Sequence, residues 1–367
     1  MSAGRGASVR PRPRTGAANL TTEAEAAAPL VLARFVRHRR ERRVVLVLAS
    51  LVLLVAAVSL MVGAYNLSVP DLLRTLVGQG ATSENFIVFK LRLPRLTLAI
   101  LVGVAFAVSG ALFQTVLRNP LASPDIIGVT GGASAAAVFG MLVLGVGSVA
   151  TSFMAFGGAM VVACAIYLLA WRGGVAGYRF VLIGVGVAFM VQGLLGYLLS
   201  RADLRNAEDA LTWLVGSVSG ARWPEIAVLA AFLAVLLPGV AVLAGRMRML
   251  QLGDDTASAL GVRAERSRLA LLVAAVALAA LATAFVGPLA FVAFVSAPIA
   301  RRLVATGSLA LVPAALIGVL ITTVADFTAQ HLLPGALNLP AGIITGAIGA
   351  PYLLWLLATQ NRIGKGA

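Results

Sequence analysis

Long apolar runs separated by short polar breaks follow one another through most of this chain. A helix that spans a bilayer needs about 20 mostly apolar residues, and charges, prolines and glycines delimit the runs here. The predicted spans are residues 44–64, 94–117, 126–146, 149–171, 180–200, 226–245, 268–286, 289–304, 309–328 and 340–358. The pattern predicts an all-α, polytopic membrane protein with about ten transmembrane helices.

Composition supports this fold class. The 367 residues are 60% hydrophobic and only 12% charged, with a mean hydropathy of +0.97. Soluble domains are nearer half apolar and a quarter charged, so an ordinary soluble domain is excluded. The single cysteine, Cys164, lies in an apolar run and can form no intrachain disulfide.

The positive charges indicate how the chain is oriented. A basic tract at residues 34–43 resembles a nucleic-acid-binding segment, but it directly precedes the first span, where cations hold a helix end on the cytoplasmic side. We therefore predict a disordered basic cytoplasmic tail over residues 1–43, a transmembrane domain over 44–358 and a cytoplasmic tail over 359–367. With both termini inside the cytoplasmic (inner) membrane, 22 of the 29 Lys and Arg residues lie on the inner side. No nucleic-acid partner is expected.

The spans offer little chemistry of their own. No segment reads Gly-x-x-x-x-Gly-Lys-Ser/Thr, the loop that cradles nucleotide phosphates, and no metal-ligand spacing is present. We expect a non-catalytic chain that binds no cofactor. Ion-coupled carriers keep carboxylates near the midplane, whereas this chain offers neutral side chains such as Gln114 and Gln192. We expect these two glutamines in the wall of a translocation path.

Several motifs stand in a fixed order along the chain. Arg92-Leu93-Pro94-Arg95 opens the second span, a polar turn at 118–125 closes it, and a glycine-rich segment at 128–133 follows. A proline- and glycine-rich segment at 339–351 opens the last span. These motifs, which cover about residues 65–358, resemble those of the FecCD family, the permease subunits of binding-protein-dependent ABC importers for iron-siderophore complexes, cobalamin and heme.

The resemblance implies the fold, the cargo and the partners. It implies a type II ABC importer permease bundle, paired with a homologous permease as a homo- or heterodimer, two ATPase subunits that use ATP and Mg, and an extracytoplasmic substrate-binding protein. The sequence Ala-Pro-Ile at 297–299, which follows Ser296, replaces the usual Pro-His-Ile of the family and resembles one branch of ferric-siderophore permeases. Cobalamin and heme remain alternative cargoes. An ion-coupled secondary transporter, a channel and a membrane scaffold remain alternative functions.

The segment at about 250–263 is the predicted point of ATPase coupling. Gly253 and the two following acids can open a short helix at its positive end, and a glycine can end it. In the family the matching segment docks in a groove of the ATPase, which implies a coupling role for Leu252, Gly253, Asp254, Asp255, Leu260 and Gly261. A solvated connector is the alternative.

The opposite side of the membrane is the predicted docking surface for the binding protein. By motif, Arg92 and Arg95 have this role, and they stand one helical turn apart. The cobalamin permease has a further arginine where this chain has Gln330, and a neutral amide cannot form the corresponding ion pair. Interfacial anchoring is the alternative role for the two arginines.

Overall fold

The computed structural model describes residues 16–171, 177–305, 308–331 and 339–363, and within these ranges the regular structure is helical with no β-sheet. The helices are α1 (Gly16–Met61), α2 (Val69–Leu76), α3 (Thr82–Phe86), α4 (Leu93–Val116), α5 (Pro124–Ile127), α6 (Val129–Phe139), α7 (Ser148–Ala170), α8 (Gly177–Ser200), α9 (Leu204–Val215), α10 (Trp223–Gln251), α11 (Asp254–Ala259), α12 (Ala264–Val286), α13 (Val292–Val304), α14 (Leu311–His331) and α15 (Ala341–Ile363). The all-α prediction is confirmed.

Ten helical segments match the ten predicted spans. Seven helices of the described part are long and apolar enough to cross a membrane. Two shorter apolar segments, Val129–Leu144 and Ala341–Leu356, match the third and last predictions. The eighth prediction corresponds to α13, which has 13 residues and a pair of arginines in its last turn. The prediction of about ten membrane helices is therefore confirmed.

The first helix is longer than predicted. The structure extends α1 back to Gly16, so residues 16–43, for which we predicted disorder, are helical, while residues 1–15 lie outside the described part of the chain. The apolar part of α1 that can span a membrane is Arg39–Met61. Alanine is the strongest helix former, and the alanine-rich composition favours this extension even without apolar periodicity.

One helix was missed between the fifth and sixth predicted spans. Helix α9 has 12 residues with its apolar positions on one face, which is too short to cross a bilayer. Its end contacts the entrance of α13, where the Cα of Gly216 lies close to Pro288. Short apolar-faced helices of this kind escape a search for 20-residue runs.

Helices α4 and α12 form the centre of the bundle, and most of their residues are buried. Helix α4 packs against α10, α12, α13 and α14. At its crossing with α14, a Cβ on Gly103 would lie 2.8 Å from the carbonyl oxygen of Gly318, so the two backbones touch. Small residues at such crossings allow dispersion contacts between helices in lipid. The Thr322 hydroxyl also donates across this contact to the Ala99 carbonyl at 2.9 Å.

Candidate functional site

The predicted docking residues and the predicted coupling segment lie at opposite ends of helix α4. Its 24 residues separate the two ends by about 36 Å at 1.5 Å per residue. We name the ends by their ion pairs. The Arg95 face comprises Arg92, Arg95, Asp326 and Gln330, and the Asp254 face comprises Arg118, Asp254 and Arg268.

The predicted coupling segment folds as a short helix with glycines at both ends. Gly253 precedes α11 at a φ of 108°, and Gly261 follows it at a φ of 79°. The amide of Gly261 donates to Ser258 and that of Val262 donates to Ala257, both at 2.9 Å. These two bonds form the Schellman motif, which requires a left-handed residue after the helix. The local fold of the coupling segment is as predicted.

Exposed apolar side chains flank helix α11. Leu252 is 65% exposed and Leu260 is 56% exposed, one before and one after the helix. Ala257 is fully buried and holds α11 against the bundle. Asp255 is exposed on the first turn and has no partner among the described residues. An exposed knob with apolar and acidic positions is suited to insertion into a groove of another protein.

Two arginines brace α11 against the membrane helices. Arg268, near the start of α12, donates to both carboxylate oxygens of Asp254 at 2.9 and 3.0 Å. Arg118, just after α4, donates to the same carboxylate at 3.1 Å and to the Leu250 carbonyl at 2.6 Å. Asp254 therefore ties α11 to the ends of α4 and α12. The sequence argument missed both arginines, although their place after one span and at the start of another was a usable signal.

On the Arg95 face, a buried ion pair joins α4 to α14. Arg95 contacts Asp326 through two nitrogens at 2.6 to 3.0 Å, and the two side chains are only 17% and 9% exposed. Gln330 donates to Asp326 Oδ2 at 2.7 Å. The neutral amide thus serves as a second hydrogen-bond donor to the carboxylate. Asp326 was not predicted as a site residue.

Arg92 has partners in the backbone instead of a carboxylate. Its guanidinium donates to the carbonyls of Leu60 at 2.7 Å and Tyr65 at 2.5 Å, which ties α4 to the end of α1. Arg92 and Arg95 nevertheless line one cavity of about 380 Å³ together with Asp326 and Gln330. The two predicted docking arginines and Gln330 are therefore brought together, and their contact with a binding protein stays a prediction.

The two glutamines of the predicted path lie apart. Gln114 is buried, donates to the Phe294 carbonyl at 2.9 Å and accepts a hydrogen bond from Arg301, so it links α4 to α13. Gln192 is exposed on α8, beside exposed glycines such as Gly193. Gln192 is exposed where a neighbouring subunit could contact it, and a path role for the two glutamines stays a prediction.

A buried carboxylate lies where α5 meets the start of α13. Both oxygens of Asp125 are buried without a hydrogen-bond partner of normal geometry among the described residues. Burial raises the pKa of Asp125 to about 6, although the Thr130 hydroxyl and the Phe291 amide lower it in part. Phe291 itself has a left-handed φ of 65° immediately before α13.

The comparison with known proteins decides the family. The profile of the FecCD transport family matches residues 51–359. The chain belongs to the FecCD transport family. It is 40% identical over 300 residues to the ferric enterobactin transport system permease protein FepG of Escherichia coli (strain K12), covering 82% of this chain and 91% of that protein. It is 44% identical over 316 residues to the achromobactin transport system permease protein CbrC of Dickeya dadantii (strain 3937), covering 85% and 90%.

A solved structure supports the FecCD fold. This chain matches, with a TM-score of 0.76 and 25% identity, a structure described as "an inward-facing conformation of a putative metal-chelate type ABC transporter", over 87% of this chain and 99% of that one. The FecCD chain is thus a multi-pass membrane protein with the fold of an ABC transporter permease, as its motifs predicted.

Proposed function

We propose that this FecCD-family chain is the membrane-spanning subunit of an ABC importer that carries a ferric siderophore complex across the cytoplasmic membrane. Separate subunits would hydrolyse ATP with Mg, and an extracytoplasmic binding protein would deliver the cargo. The observation that carries the proposal is helix α11, an exposed knob braced by Arg118 and Arg268 through Asp254. Both termini would lie in the cytoplasm, on the side of the Asp254 face.

The bracing suggests how force would reach the transport path. An ATPase that grips the exposed Leu252 and Leu260 would move α11 when its nucleotide state changes. Because Asp254 is bonded to residues at the ends of α4 and α12, the displacement would pass to the two most central helices. Coupling of this kind needs contacts that differ between two states of the complex.

The Arg95 face would receive the binding protein. Arg92 and Arg95 line its cavity, but Arg95 is already paired with Asp326. An incoming carboxylate would therefore compete with Asp326 for the guanidinium, or would meet Arg92 first. Docking through this face predicts that changing both arginines to glutamate weakens stimulation of ATP hydrolysis by the binding protein.

The exposed face of α8 would contact the partner permease. Gln192 is a polar side chain on an apolar helix, and an added Cβ on Gly186, Gly193 or Gly196 would meet nothing within 4 Å. An exposed amide on a spanning helix is costly in lipid and is usually buried against protein or water. We place this face at the interface of a permease dimer, where the path would run.

The proposed cargo is inferred from the names of the relatives. FepG and CbrC are named for ferric enterobactin and achromobactin, which supports a siderophore over cobalamin or heme. Family membership likewise favours an ABC permease over an ion-coupled secondary transporter. Uptake of radiolabelled iron with several siderophores, beside cobalamin and heme, would identify the cargo.

The deciding experiment changes the two exposed leucines that flank α11. In vesicles containing the assembled transporter, Leu252→Asp/Leu260→Asp should abolish ATPase binding and uptake, because each buried leucine contributes about 1.5–3 kcal/mol to an interface. The matched control is Leu204→Asp, since Leu204 is 78% exposed at the start of α9. Uptake that survives in the double variant, or that continues with vanadate and stops with an uncoupler, would contradict the proposal.

A further inference from the structure

A second cavity lies beside the coupling helix. It has a volume of about 390 Å³ and lies between the end of α10 and the start of α12. Its lining consists of Arg246, Gly261, Val262, Arg263, Arg266 and Ser267. The cavity is separate from the ion pairs of Asp254, which involve Arg118 and Arg268.

The three arginines of this cavity lack partners in the described part of the chain. None of their side chains takes part in a hydrogen bond, ion pair or ring contact there. The neighbouring acid, Glu265, is instead directed to Arg268 at 3.5 Å. Three positive charges thus line one cavity without a carboxylate to balance them.

An anion would make the arrangement more favourable. Arg263 and Arg266 are three residues apart at the amino-terminal end of α12, where the helix dipole is positive and disfavours cations. A phosphate in the cavity would remove this repulsion and accept paired hydrogen bonds from the guanidinium forks. The charge pattern therefore indicates a phosphate-bearing ligand.

The position of the cavity identifies the source of the phosphate. Helices α10 and α12 are both candidate membrane spans, and the cavity lies where one ends and the other begins. These ends lie at the level of the lipid headgroups. Basic pockets between helices at this level bind anionic headgroups.

We propose that Arg246, Arg263 and Arg266 form a binding site for the phosphate headgroup of an anionic phospholipid. Gly261 and Val262, which end α11 and lead into α12, also line the site. A bound headgroup therefore holds the joint between the coupling helix and the membrane. The inference needs only that α10 and α12 span a bilayer, and it stands apart from the proposed transport function.

The test uses the purified chain in a neutral detergent without any ATPase. Phosphatidylglycerol and cardiolipin are titrated while Tm and the lipids retained in native mass spectra are recorded, with phosphatidylcholine and inorganic phosphate as comparison ligands. The anionic lipids should raise Tm and phosphatidylcholine should not. Removing all three charges with Arg246→Gln/Arg263→Gln/Arg266→Gln should weaken anionic lipid binding about a hundredfold.

The matched control removes three charges from the opposite end of the bundle. Arg74→Gln/Arg201→Gln/Arg205→Gln should bind anionic lipid as the unchanged chain does. If the triple variant of the cavity does not fold, Arg263→Gln alone should weaken binding by about fivefold. Equal lipid binding by the cavity variant and the control would overturn the proposal. A Tm increase that inorganic phosphate reproduces in full would also overturn it.

Discussion

Asp326 is held inside the bundle by Arg95 and Gln330, which together surround its carboxylate. Removing one partner of a buried ion pair leaves an uncompensated charge, which costs about 3–5 kcal/mol. We expect Arg95→Met to lower the free energy of unfolding by about this amount. Denaturant unfolding in detergent, followed by the fluorescence of the tryptophans, would measure it.

The control variant removes the charge of Asp326 together with that of Arg95. Arg95→Met/Asp326→Leu should recover most of the lost stability, because an apolar pair of similar volume often replaces a buried ion pair at little cost. If the single and double variants are equally destabilised, packing rather than charge explains the effect.

The raised pKa of Asp125 should make the stability of the folded chain depend on pH. Its pKa is about 6 in the folded chain, above the ordinary value of 3.8, so the folded state binds the proton more tightly. Stability contributed by the protonated carboxyl is fully present below about pH 4 and is lost as the pH rises through about 6. We expect Tm to fall over this interval in the unchanged chain and much less in Asp125→Asn.

Exposed Asp255 supplies the control for this measurement. It is exposed and has no described partner, so Asp255→Asn removes one carboxylate and leaves the buried carboxylate of Asp125 in place. A Tm profile that is identical in Asp125→Asn and in the unchanged chain would show that another group titrates.

Single residues were predicted where the local pattern fixed their role. The glycines around α11 were placed correctly because a helix end has few solutions, and the φ of 79° at Gly261 agrees with a terminating glycine. The bonds of Gln114 to Phe294 and Arg301 were not predicted, because these partners come from a distant part of the chain. The ion pair of Asp254 with Arg118 was also not predicted, because the two residues are far apart in the sequence.

At the scale of elements, the end of α11 is open to a direct test. Gly261 has a φ of 79° and no atom within 4 Å of an added Cβ, so the cost of Gly261→Ala is conformational. The left-handed backbone costs a non-glycine residue about 1–2 kcal/mol. We expect faster hydrogen exchange of the α11 amides in this variant.

The matched change is Gly245→Ala in α10, where an added Cβ also meets nothing within 4 Å and no positive φ is present. Alanine favours a helix interior over glycine by about 1 kcal/mol, so this variant should leave exchange in α11 unchanged. Equal exchange in the two variants would contradict the role of the glycine in the Schellman turn.

The crossing of α4 with α14 gives a second prediction, which tests whether the close contact of these two helices requires glycine. A Cβ on Gly103 would lie 2.5 Å from Thr322 Oγ1 and 2.8 Å from the Gly318 carbonyl oxygen. Because the second obstacle is backbone, the helices must separate, and overpacking of this kind typically costs about 1–3 kcal/mol. We expect Gly103→Ala to lower Tm, whereas Gly193→Ala, which meets no atom within 4 Å, should not.

Elements were predictable in proportion to their length. Apolar runs of 20 or more residues appear as helices within a few residues of the expected ends, as α7 and α12 show. The start of α10 at Trp223 and the π-helical turn at Ile87–Arg92 extend two spans beyond their predicted limits. Both extensions contain charged residues, Glu225 in one and Lys90 and Arg92 in the other, so dividing the chain at charges placed those boundaries inside the helices.

For the whole molecule, the sequence predicted which loops share a side. Arg118, Asp254 and Arg268 come from two segments assigned to the inner side and meet in one ion-pair network. Arg95 and Asp326 come from helix ends assigned to the outer side and meet there. The family motifs lie in these same segments. The motifs are local in the sequence, so the family could be recognised although the contacts between the segments could not be predicted. The sequence did not predict which distant helices pack together. Helices in lipid are apolar on most faces, so the apolar pattern does not indicate which helix a given face contacts.

The exposed face of α8 makes the dimer testable in the intact transporter. In a background of Cys164→Ser, Gln192→Cys should form a disulfide across the permease interface under mild oxidation, with itself in a homodimer or with a cysteine at the corresponding position of a homologous partner. The control is Val161→Cys on α7, where Val161 is 69% exposed. A cross-linked dimer with Gln192→Cys and monomer with Val161→Cys would support the α8 interface, because only residues near the shared interface can come within disulfide distance. Cross-linking through Val161→Cys alone would place the partner permease on α7 and exclude Gln192 from the path.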